Sequence, residues 1–272
     1  MIFFTDITTD ASNFCLLHID KYDDPRKAQK RMVFVDPGVH YLEKHDDFPH
    51  LEQLHQLASG GLLANEYISI DYPGDMFPEK HDLFIKRTYE NCVKYKDNPQ
   101  YIQTVQFHLH KVEKKKHGKN WRIVATLVRE DVKSFIEGFD KVFPFVAGKR
   151  RILGIGNMCK IMKSNRYLKE IFAYIQRHSK EIWWIHFYGL ALDPIKQLIP
   201  MLYNMKVSVD STKWTRPSND KFKRKHMIAK GQTQLFPTTH CQRGLCPTKE
   251  TRGEFFREYM KDIRRAGINV QW

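Results

Sequence analysis

The chain has 272 residues, 42% of them hydrophobic, which suits one large single-core domain such as an α/β barrel. Its 45 Lys and Arg against 31 Asp and Glu leave a net charge of +14, which points to a polyanionic partner: nucleic acid first, an anionic membrane surface second. The composition argues against two classes: five irregularly spaced cysteines do not make a disulfide scaffold, and no apolar run approaches the roughly 20 residues that span a bilayer.

In chain order, the N-terminal MIFFTDITTD reaches an acidic residue at once and has no basic segment before its short apolar start. It does not read as a secretory signal, and the expectation is a cytoplasmic protein with no membrane association. Short apolar runs follow at residues 14–19 (FCLLHI), 32–35 (MVFV), 67–70 (YISI), 123–128 (IVATLV), 152–155 (ILGI), 183–187 (WWIHF) and 206–209 (KVSV). They are rich in β-branched and aromatic residues and too short for helices, so they predict strands buried on both faces. Helical periodicity lies between them at about 51–58, 80–94, 132–139, 166–178 and 194–205, with a last helix at 254–265. Alternating strands and helices imply a parallel sheet with right-handed crossovers. The predicted fold is a (β/α)8 TIM-type barrel, with irregularity allowed, over residues 1–220 and a small, basic, zinc-like C-terminal extension over 221–272 packed on the barrel. Seven strands are visible, and the eighth is placed in residues 227–235. Residues 105–122 (VQFHLHKVEKKKHGKNWR) alternate and then turn basic, as a hairpin or a protruding loop would.

Several of these strands end in a polar or glycine signal: Asp36-Pro37-Gly38, Asp71-Tyr72-Pro73-Gly74-Asp75, Gly154-Ile155-Gly156-Asn157, His186-Phe187-Tyr188-Gly189 and Asp210-Ser211. In a β/α barrel the C-terminal strand ends form the active-site mouth, so three carboxylates from three strands would converge there. Any one such Asp is as easily a helix cap or a turn former. Asp75 reads as a turn residue, and Tyr72, Phe187 and Tyr188 as core or pocket wall.

The ordered set Asp36, Asp71, Gly154-Ile155-Gly156, His186 to Leu190 and Asp210 resembles the tRNA-guanine transglycosylase superfamily over residues 30–220. The resemblance implies that Asp210 is the nucleophile and Asp36 the acid–base group. It implies that Asp71 reads the guanine edge, and that Gly154, Gly156, His186, Gly189 and Leu190 line the base pocket. The family's Thr-Arg pair, five and six residues past the nucleophile, is matched by Thr215-Arg216. The short chain is most similar to the DNA-modifying branch, found in phages and bacterial modification clusters, which inserts 7-deazaguanines into DNA. The implied function is exchange of guanine in nucleic acid for a 7-deazaguanine such as 7-cyano-7-deazaguanine, in DNA by preference and in tRNA as the alternative. A phage protein of this kind would work in the bacterial host's cytoplasm. No redox cofactor is implied.

Two departures stand out. Pro37-Gly38-Val39-His40-Tyr41 replaces the family's Gly-Gly-Phe-Gln run. The family's zinc subdomain carries Cys-x-Cys-x-x-Cys and a distant His, whereas this chain has only His240-Cys241-Gln242-Arg243-Gly244-Leu245-Cys246 in that region. A structural Zn2+ held by Cys241, Cys246, His240 or His226, and Cys159 is one reading; free thiols and a surface histidine are the other. The basic residues Lys213, Arg216, Lys221, Lys223, Arg224 and Lys225 follow the nucleophile, with Trp214 as a stacking platform, and read as nucleic-acid contacts. Lys114, Lys115, Lys116 and Lys119 form a second basic run. Two other functions fit the same residues: a non-catalytic nucleic-acid-binding subunit, and an N-glycosylase that hydrolyses the bond instead of exchanging the base.

Overall fold

The computed structural model describes residues 1–6, 12–38, 41–42, 45–117, 120–158, 161, 165–190, 192–210 and 249–271. Ten strands are described: β1 (Ile2–Asp6), β2 (Phe14–His18), β3 (Met32–Asp36), β4 (Glu66–Ile68), β5 (Gln103–Val105), β6 (Val112–His117), β7 (Asn120–Ala125), β8 (Ile152–Ile155), β9 (Trp184–Phe187) and β10 (Val207–Asp210). The helices are α1 (Leu51–Gln56), α2 (His81–Lys94), α3 (Arg129–Val142), α4 (Asn165–Arg177), α5 (Leu192–Leu198) and α6 (Lys249–Arg265).

Eight of the strands form one sheet in the order β4-β3-β2-β1-β10-β9-β8-β5, with every pairing parallel. The sheet curls until its ends meet. Ile68 at the end of β4 bridges Tyr101, just before β5, and the Ile68 N–H donates to the Gln100 carbonyl at 2.9 Å. The Ile102 N–H returns a bond to the Ile68 carbonyl, also at 2.9 Å. This architecture is compatible with a TIM-type fold.

Side chains on a strand alternate between faces, so the inner face can be read by twos. Phe4, Phe14, Phe34, Ile102, Ile152 and Trp184 fill the inside of the curl. Phe4 stacks on Phe34 with centroids 4.0 Å apart, and Trp184 packs against Phe34 at 5.6 Å. Burial of each such ring contributes about 2–3 kcal/mol. The outer face carries Val33, Val35, Ile68, Ile70, Leu153, Ile155, Ile185 and Val209, all buried against the surrounding helices.

Two expectations change. β1, whose short apolar stretch carries no strand signal in the sequence, is a sheet strand that pairs with both β10 and β2. Residues 123–128 are not a strand of the main sheet: 120–125 form β7, which pairs antiparallel with β6 as a hairpin. The place in the main sheet belongs to Gln103–Val105. The eighth strand expected at 227–235 lies outside the described residues. Helix α6 packs on the main core: Phe256, Met260 and Ile263 are wholly buried there, and the Phe256 ring meets Phe3 of β1 at 5.8 Å. Among the described residues no helix is long and apolar enough to cross a membrane.

Candidate active site at the strand ends

The same alternation that fills the interior with rings sets the chemistry above them. Two residues beyond Phe34 on the inner face stands Asp36; two beyond Tyr67 and Ser69 stands Asp71; two beyond Trp184 stands His186; two beyond Ser208 stands Asp210. Because all eight strands are parallel, these residues share the C-terminal rim. Asp36, Asp71 and Asp210 are each partly open to solvent there, with the Asp210 side chain 14% exposed.

Asp36 and Asp71 both sense the neighbouring carboxyls. Burial raises Asp36 from the ordinary carboxylate value to about 7, against the pull of a hydrogen bond from the Gly38 N–H (2.7 Å to Oδ1). The charges of Asp71, Asp210 and Asp20 add to the rise. Burial likewise raises Asp71 to about 6, with Asp210 adding to it, while the Ser69 hydroxyl and His186 oppose it. The Ser69 hydroxyl donates to Asp71 Oδ1 at 2.7 Å and accepts from the Tyr188 hydroxyl at 2.8 Å.

Asp210 is held from below. Its Oδ1 accepts the Gly189 N–H at 3.1 Å and lies 3.2 Å from His186 Nε2. His186 is wholly buried, and its Nδ1 lies 2.9 Å from the Ser208 hydroxyl, which accepts the Trp184 indole N–H at 2.7 Å. The consistent proton assignment runs Trp184 to Ser208 to His186 to Asp210, each donating to the next. His186 therefore faces the carboxylate instead of the opening, and the Gly189 N–H is committed to Asp210. Leu190 is 1% exposed, within the core.

Each glycine here answers a crowding requirement. A side chain at Gly38, whose φ is +79°, would overlap the His18 ring of β2. A Cβ at Gly154 would stand 2.8 Å from both Thr104 Oγ1 and the Tyr188 ring, and one at Gly156 would meet the Gln106 amide at 2.4 Å. Gly154→Ala is thus expected to cost about 1–3 kcal/mol by overpacking. Thermal unfolding measures this as a midpoint lower by several degrees; an unchanged midpoint would show that Tyr188 yields freely.

Gln106 was missed from the sequence. It follows Thr104 on the inner face beyond β5, is 5% exposed, and neither its amide nitrogen nor its amide oxygen has a hydrogen-bond partner. An unsatisfied buried amide costs about 1–3 kcal/mol. Gln106→Met should therefore raise the thermal midpoint of the protein. A lowered midpoint would mean that the amide serves packing.

Phe187 is a core residue stacked on Phe172 at 4.9 Å, and Tyr72 is buried with its hydroxyl on Asp47. Asp75 sits wholly buried in a turn, where its N–H donates to Asn157 Oδ1. Beside the mouth, a cleft of about 500 Å³ is lined by Lys80, His81, Asp82, His108 and His110. The hairpin β6–β7 starts from this side of the sheet.

The basic and aromatic residues assigned to nucleic-acid contact, Lys213, Trp214, Arg216, Lys221, Lys223, Arg224 and Lys225, lie outside the described residues, as does Lys119. So do the zinc candidates Cys159, His226, His240, Cys241 and Cys246. Among the described residues no group of three or more His, Cys, Asp or Glu is placed to hold a metal ion. Compared with protein-family models, with curated proteins and with solved structures, the chain matches none.

Proposed function

We propose that this chain is a guanine transglycosylase: it swaps a guanine in nucleic acid, DNA in preference to tRNA, for a free 7-deazaguanine on a (β/α)8 barrel. The observation that carries the reading is the set of three carboxyls on one rim, Asp36, Asp71 and Asp210, two of which, Asp36 and Asp71, are raised by burial and by the neighbouring carboxyl charges. Carboxyls raised in this way at a rim fit sites of acid–base work. The net charge of +14 fits a polyanionic substrate.

The target base leaves the stack and enters the mouth. A carboxylate oxygen of Asp210 attacks the anomeric C1′ as the C1′–N9 bond breaks, and Asp36, protonated below about pH 7, gives its proton to the departing guanine. The sugar is then esterified to Asp210, and the strand stays intact. An incoming 7-deazaguanine gives its N9 proton to Asp36, and N9 attacks C1′ and releases Asp210. Two inversions retain configuration, as in retaining glycosidases. An ionised Asp71 accepts the N1–H and N2–H donors of guanine, a pattern adenine lacks. The free Gln106 amide has an N–H for the O6 carbonyl. A structural Zn2+ bound by the cysteines near residue 241 remains part of this proposal and plays no part in the chemistry.

Incubation with labelled 7-cyano-7-deazaguanine and either duplex DNA or tRNA tests it. Label in the polymer supports exchange, and the labelled substrate identifies the acceptor. Abasic sites without label would instead assign hydrolysis.

A further inference from the structure

The opposite end of the sheet carries a second cluster that the chemistry at the mouth does not use. Arg31 precedes β3, Arg150 lies just before β8, Trp183 precedes β9 and Lys206 precedes β10. With parallel strands, all four stand on the N-terminal rim. The ammonium of Lys206 lies 3.6 Å from the Trp184 ring centroid and 4.6 Å from that of Trp183, and the Arg150 guanidinium lies 5.2 Å from Trp183. Trp184 is wholly buried and forms the aromatic floor, with Phe34 and Tyr67 at 5.6 and 6.0 Å, so this end is closed off from the mouth by packed rings.

No described carboxylate pairs with Arg31, Arg150 or Lys206, whereas Lys27, Lys80, Arg87 and Arg166 each have one. The cations also oppose one another: burial lowers Lys206, and the charges of Arg150 and Arg31 lower it further. Cation–π contacts alone offset such crowding only in part, at about 0.5–2 kcal/mol each. Like charges gathered on an aromatic platform, with no counter-charge among the described residues, match the needs of an anion that also presents a flat face.

We infer that the rim formed by Arg31, Arg150, Lys206 and Trp183 is a binding site for a phosphate-bearing ligand, separate from the mouth. Arg150 and Arg31 would meet phosphate oxygens through paired N–H donors, Lys206 would act as a point charge, and the half-buried Trp183 would stack against a base. That chemistry has two sources, a free nucleotide or the backbone of a nucleic acid strand. The site stands or falls independently of the reaction at the other end.

The test uses the full chain and probes without guanine: tripolyphosphate, thymidine triphosphate and an eight-residue oligothymidylate, followed by tryptophan fluorescence across a salt series. The expected result is saturable binding that Arg150→Gln/Lys206→Gln weakens at least about tenfold, while Asp210→Asn binds as the unmodified protein does. For the oligonucleotide, the log–log salt slope should become shallower by about 1.4, two phosphate contacts' worth on a single strand. Preference for the triphosphate identifies a nucleotide, and preference for the oligonucleotide identifies a strand. Arg31→Gln, at an exposed residue, gives a second variant should the double one unfold, with about threefold weakening expected. Absence of binding by every probe, or equal binding by the unmodified protein and the variants, overturns the inference.

Discussion

On the proposed mechanism Asp210→Asn is expected to abolish base exchange, lowering kcat by at least about 10⁴-fold, because loss of the proposed covalent nucleophile removes the pathway and not one contact in it. The substitution is nearly isosteric. The Asn oxygen can still accept the Gly189 N–H, and the His186 Nε2–H remains within 3.2 Å of that position. Folding and nucleic-acid affinity should therefore persist, and circular dichroism with a binding isotherm separates loss of chemistry from loss of structure. Residual exchange within tenfold of the unmodified chain would remove Asp210 from the nucleophile's role.

Asp36→Asn carries the second large effect, through a different signature. General acid–base groups contribute about 10²–10⁴-fold, so exchange should fall by that factor. The pH dependence is specific. Exchange needs Asp36 protonated, which fails as pH rises through about 7, and Asp71 ionised, which fails as pH falls through about 6. The unmodified protein should thus show a narrow bell in kcat/KM between these limbs, which as macroscopic values belong to the coupled cluster. The variant should lose the alkaline limb and keep the acid one. The substitution should affect stability in the opposite sense to activity. A carboxyl whose folded value lies above its ordinary 3.8 stabilises the fold fully below that value, and the contribution is lost as pH climbs to about 7. At pH 8 the Asn variant should therefore be the more stable protein, by on the order of 2 kcal/mol after allowance for the partial exposure of residue 36. Toward pH 4 the difference should vanish. A flat profile between pH 5 and 8, or a variant that is less stable at pH 8, would contradict the assignment.

The strand-end carboxylates were legible because each closes a short apolar run, and runs buried on both faces stand out in a sequence. β5 was not legible for the converse reason. Two of its three residues are polar: Gln103, on the outer face, donates its amide N–H to the Tyr95 carbonyl, and Thr104 faces inward beside Gly154. The apolar run at 123–128 competed successfully for that place. It is apolar because Ala125 and Leu127 reach the main core while the strand itself pairs with β6 outside the main sheet. β1 was hidden by its position, since a few apolar residues at a chain start carry no periodicity. Only pairing on both sides, with β10 and β2, identifies it. Gln106 escaped because lack of a partner is a property of the fold, although the inward spacing from Thr104 was there to be read. His186 was legible as a strand-end residue but not in its orientation. Its place beneath Asp210 follows from the Ser208 and Trp184 contacts, which only the register of β9 against β10 provides.

The most direct measurement is capture of the sugar–enzyme ester. A guanine-containing oligonucleotide of the acceptor identified by labelling is mixed with the protein without incoming base, quenched in denaturant and mapped by peptide mass spectrometry. The account predicts a denaturant-stable adduct on the peptide bearing Asp210, absent in Asp210→Asn and discharged when 7-deazaguanine is added before the quench. An adduct on another residue, or one that forms undiminished in Asp210→Asn, would contradict it.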